Sequence, residues 1–60
     1  MATVVDLGMG RYQVTFHEGD DVPPELFGKT GTYLHDPLLD TFHVLDEPVA
    51  AGEYVPTGGR

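Results

Sequence analysis

The sequence contains no cysteine and no serine. The first absence excludes disulfides and thiolate metal sites, so the fold has no covalent staple. Together the two absences remove the commonest catalytic nucleophiles, and an enzyme is not expected. Positive charge is scarce: three Lys and Arg stand against ten Asp and Glu, a formal net charge of -7. Such a surface repels phosphate backbones and anionic lipid, which excludes direct nucleic-acid binding and favours a basic protein partner. Long apolar runs are missing too, and no window approaches the roughly 18 consecutive apolar residues of a membrane helix. The start MATVVDLGMG has no basic segment and no apolar core of a signal peptide. The expectation is a cytoplasmic protein with no membrane association and no cofactor.

Sixty residues form one domain. A chain of this length buries only about 60% of the surface it exposes when unfolded. Stability must therefore come from a well-packed β-core, from self-association as a homodimer, or from docking on a partner.

Glycine and proline divide the chain into short segments, none with helical periodicity over ten residues. Thr3 to Leu7 is β-branched and short, Gly8-Met9-Gly10 is a natural turn, and Tyr12, Val14 and Phe16 alternate with Gln13, Thr15 and His17. Thr3 to His17 thus reads as a β-hairpin. Pro23 and Pro24 forbid a central strand in the excursion that follows, but Pro23 to Gly28 has the composition of one helical turn, with proline at its start and Gly28 at its end.

Phe27 to Pro48 holds two alternating runs around the break Asp36-Pro-Leu-Leu-Asp40. Pairing His35 with Thr41 sets Thr32, Leu34, Phe42 and Val44 on an apolar inner face, and Tyr33, His35, Thr41 and His43 on a polar outer one. A turn over Pro48 to Gly52 then leads to a last strand, Glu53 to Val55, and a flexible tail, Thr57 to Arg60. Residues 1–56 would be the β domain and 57–60 the tail.

Five short strands with one long loop and one helical turn make up an all-β chain. Two stretches resemble known small barrels. The segment GKTGTYLHD followed by DTFHVLD is similar to the Gly-x-x-Gly-x-hydrophobic segment of KOW-type SH3-like barrels, and AAGEYVP resembles the last turn and strand of eukaryotic SH3 domains. The resemblance implies a small SH3-like barrel of about five antiparallel strands. It implies no activity: the early aromatic motif that binds proline-rich peptides is missing, and so are the basic residues that KOW-type domains use on RNA.

Several clusters invite chemistry. Glu18, Asp20, Asp21 and Glu25 gather in the long loop, without the spacing of an EF-hand, and read as an acidic docking loop. Leu38 and Leu39 sit at a hairpin tip between two aspartates, as an apolar anchor for a partner or as side chains folded back on the core. With Tyr33, His35 and His43 on the outer face, they complete a partner-binding surface. The expected function is an acidic interaction module, an accessory subunit or a phage-type inhibitor that imitates nucleic acid. The rivals are a metal- or pH-responsive module using His35 and His43, neighbours on the proposed register, and a structural subunit of a homo-oligomer. Gly58-Gly59 is followed by Arg60, so a ubiquitin-like diglycine terminus is set aside.

Overall fold

The computed structural model describes residues 1–50. Four antiparallel strands occupy them: β1 (Thr3–Gly8), β2 (Arg11–Thr15), β3 (Lys29–Asp36) and β4 (Thr41–Ala50), with a 3-10 turn at Pro24–Leu26 in the long loop. They form one meander in the order β1-β2-β3-β4. β1 and β4 do not pair, so the described strands make an open sheet. The closing strand expected at Glu53–Val55 and the tail Thr57–Arg60 lie outside the described residues.

The β1–β2 hairpin turns where glycine permits it. Gly8, Met9 and Gly10 all take positive φ (83°, 58° and 78°), a conformation open to glycine and strained for methionine. Asp6 Oδ1 accepts from the Gly8 amide at 2.7 Å, and the Arg11 guanidinium donates to the Leu7 and Gly8 carbonyls. In the long loop, the helical turn expected from its prolines is present as the single 3-10 turn, and Gly28 leaves it at φ 78°.

The β3–β4 register differs from the expected one by a residue. Asp36 pairs with Thr41, His35 with Phe42, Leu34 with His43 and Tyr33 with Val44. Turn chemistry is the cause. Asp36 Oδ1 accepts from the Leu38 and Leu39 amides (3.0 and 3.3 Å), and Asp40 adopts φ 52°. Asp36 thereby stays in the ladder and the loop closes over four residues, Pro37 to Asp40. Cross-strand partners share a face, so the expected inner set is divided: Thr32 and Leu34 lie on one face, Phe42 and Val44 on the other.

The actual faces differ in chemistry. One gathers Tyr12, Val14, Phe16, Tyr33, His35, Phe42 and Val44. Its rings meet edge to face, Tyr12 with Phe42 and Phe16 with Tyr33, each at 6.4 Å between centroids. The opposite face is rich in threonine: Thr15 Oγ1 lies 2.8 Å from Thr30 Oγ1, and Thr3 Oγ1 2.7 Å from His17 Nε2. Thr32, at 0% exposure, and Thr30, at 5%, are its most enclosed side chains, and among the described residues no large apolar side chain is fully buried.

β4 continues past the turn expected at Pro48. Its ladder with β3 shifts register twice, between the partners of Thr30 and Thr32 and between those of Thr32 and Tyr33. These bulges let Pro48 sit in the outermost of the described strands without breaking the central ladder. They also bring β4 close over Gly31, whose missing side chain leaves room for the Asp46 carbonyl, the Pro48 ring and the Tyr33 hydroxyl.

Candidate interaction surface

The meander sorts the expected partner-binding residues to two ends of the sheet. The long loop follows β2 and precedes β3, whereas the Asp36–Asp40 tip follows β3. Lys29 and Asp36 are separated by seven steps of β3, about 23 Å at roughly 3.3 Å per residue. The acidic loop and the leucine tip are therefore separate patches.

At the loop end, Asp20 is committed to the fold. Its Oδ1 lies 2.8 Å from the amino group of Met1, and its Oδ2 accepts from the His17 amide at 2.8 Å. The hydrogen bond from the ammonium and then that from the His17 amide hold its carboxyl below the ordinary aspartate value. The Asp20 amide donates to the His17 carbonyl and the Val22 amide to the Asp20 carbonyl, closing a tight turn. Glu18, Asp21 and Glu25 are exposed and remain available as a negative surface.

At the other end, Leu38 and Leu39 are 93% and 69% exposed. They stand clear of the sheet, so the alternative of core packing does not hold. Met9, in the β1–β2 turn, lies at this same end, because the His35 amide donates to the Gly10 carbonyl. Met9 carries no local signal for this surface: its glycine neighbours mark a turn, but nothing local places that turn beside the leucine tip. Asp36 and Asp40 flank the leucines in sequence, and Asp6 and Arg11 both hold the neighbouring Met9 turn.

The histidines part company. His35 lies on the aromatic face, its Nε2 3.0 Å from Asp40 Oδ1 and its ring 4.8 Å from that of Phe42. His43 faces the threonine side, opposite Leu34. The expected pairing of His35 with His43 on one face is thus corrected, and they cannot share one ion. No group of three or more His, Cys, Asp or Glu side chains is placed to hold a metal among the described residues.

Tyr33 is half-buried over Gly31, and this burial, followed by the nearby Glu47 charge, raises its phenol above the ordinary tyrosine value. It contributes to the fold as well as to the surface. Phe42 was expected inside and is 61% exposed, so it joins the candidate surface. No helix among the described residues is long and apolar enough to cross a membrane. The chain matches no family model, no curated protein and no solved structure.

Proposed function

We propose that this chain is a small acidic interaction module that docks on a basic partner protein in the cytoplasm, as an accessory subunit or as an inhibitor whose carboxylates stand in for nucleic-acid phosphates. In this reading the described sheet is the larger part of an SH3-like barrel in which the strand expected at Glu53 to Val55 adds to the free edge of β1, leaving the first half of β4 without a partner strand. The observation that carries the proposal is the arrangement of the tip: Leu38 and Leu39 project into solvent between the carboxylates of Asp36 and Asp40. Exposed apolar side chains flanked by two carboxylates suit a complementary pocket rimmed by Lys and Arg. The carboxylates of Glu18, Asp21 and Glu25 add long-range attraction, which speeds encounter and rejects acidic competitors.

The test compares the unaltered chain with a reversal of the three free loop acids, Glu18→Lys, Asp21→Lys and Glu25→Lys, as baits for host proteins eluted by stepwise salt. Asp20 is left in place because its carboxylate closes the loop. A basic protein held by the unaltered chain and released by the reversal at low salt is the expected result. Equal retention of the same protein by both baits sinks the electrostatic reading.

A further inference from the structure

We infer that the outer edge of β4 is a strand-addition site for an extended segment with an apolar centre and Lys or Arg at both ends. This inference rests on the basic-partner reading and adds the docking mode. In an antiparallel ladder the amide and carbonyl of one residue point to one side, and the side alternates along the strand. The His35 amide donates to Gly10, towards β2. Leu34 and Asp36 therefore turn towards β4, where His43 and Thr41 face them. Phe42 and Val44 then direct their amides and carbonyls away from β3, and no described strand pairs with them there. The run Thr41–Leu45 has no Asp, Glu, Lys or Arg and is β-prone, and all five residues are exposed, Phe42 at 61% and Val44 at 48%. Pro48 lies in the later half of β4 and a bulge begins at Leu45, so among the described residues Thr41–Val44 is an open template.

Charge selects the occupant. Asp40 precedes the run, and Asp46 and Glu47 follow it. A second copy paired about a two-fold axis at His43 would set Asp40 opposite Asp46 of its mate. Centring the axis on Phe42 or Val44 instead sets Asp40 against Val44 or Asp46 against Phe42. Each arrangement opposes like charges or buries a carboxylate against an apolar side chain. A strand with apolar residues opposite Phe42 and Val44, and a cation beyond each end, meets every position with a complement.

The probe is a synthetic peptide of alternating valine and threonine with two lysines at each end, titrated into the full 15N-labelled chain. Amide shifts are expected at Thr41–Leu45, with binding about fivefold weaker in the double variant Asp40→Asn, Glu47→Gln. Val44→Pro removes an outward amide and no amide of the β3–β4 ladder, so the spectrum of the rest of the sheet should persist while binding is lost. Should that variant fail to fold, the shift map of the unaltered chain still decides. Shifts confined to residues 18–25 would overturn the edge site and leave the basic-partner reading standing. Equal binding of a glutamate-flanked peptide at Thr41–Leu45 would instead remove the basic-partner reading. No binding, or concentration-dependent broadening of the Thr41–Leu45 amides without peptide, would overturn the inference, the latter in favour of a second copy.

Discussion

A single methyl group at Gly31 tests how the sheet is held together. Gly31 is buried in the middle of β3, paired with Val14. A Cβ built there would stand 3.0 Å from the Asp46 carbonyl oxygen, 3.1 Å from Pro48 Cγ and 3.1 Å from Tyr33 Oη. Replacing glycine by alanine in a strand ordinarily gains about 0.5–1 kcal/mol, because the unfolded chain has less freedom to lose. Overpacking works against that gain, by about 1–3 kcal/mol. The tyrosine tip can swing aside and the proline ring can pucker, but the Asp46 carbonyl belongs to the bulged backbone of β4. It can move only by shifting the bulge. Overpacking therefore wins, and Gly31→Ala should destabilise by about 1–2 kcal/mol. That is a large share of the roughly 3–9 kcal/mol available to a chain of this length. The assay is urea unfolding, where the midpoint should fall while the slope stays constant. Adding Tyr33→Phe to Gly31→Ala relieves the Oη contact, so the double variant should lose less than the sum of the singles. An unchanged or raised midpoint for Gly31→Ala would refute the close approach of β4 over β3.

The Asp20 carboxyl lies below its unfolded value of 3.8, so its contribution to stability is present above that pH and is lost as pH falls through the folded value. Asp20→Asn should flatten the acid limb of a stability–pH curve, and an unchanged limb would show that the Met1–Asp20 pair has no role in it. Met9 holds φ 58° while its side chain is exposed. Met9→Asn should therefore raise stability by about 0.5 kcal/mol in thermal or urea unfolding, since asparagine tolerates this conformation better. Leu38→Lys and Leu39→Lys should leave stability within about 0.5 kcal/mol of the parent while weakening partner capture. A marked loss of stability would mean that the tip leucines do pack on the protein.

Local signals made much of the fold legible. The glycines on either side of Met9 marked the first turn, the alternation from Tyr12 to Phe16 marked β2, and Pro24 with Gly28 bounded the 3-10 turn. The β3–β4 register was not legible in the same way. Apolar alternation favoured placing Phe42 opposite Leu34. The Asp36 side chain, by accepting two loop amides, kept itself in the ladder and set Phe42 opposite His35 instead. One residue of slip exchanges the faces of a strand, so the same error separated His35 from His43 and brought Phe42 to the surface.

The candidate surface shows the same division. Composition alone determined its sign, because ten acids against three bases leave a negative surface however the chain is folded. The sequence also determined that the leucine tip would be a turn, since Asp-Pro begins it and a second aspartate ends it. Tertiary structure decided which acids are free: Asp20 is drawn to the amino terminus and the His17 amide, while Glu18, Asp21 and Glu25 face solvent. It decided as well that loop and tip stand at opposite ends of β3, and that Phe42 and Val44 turn their backbone groups outward. The physical reason is range. Turn preferences and net charge belong to residues and their near neighbours, whereas strand register and the pairing of a loop carboxylate depend on groups that only folding brings together.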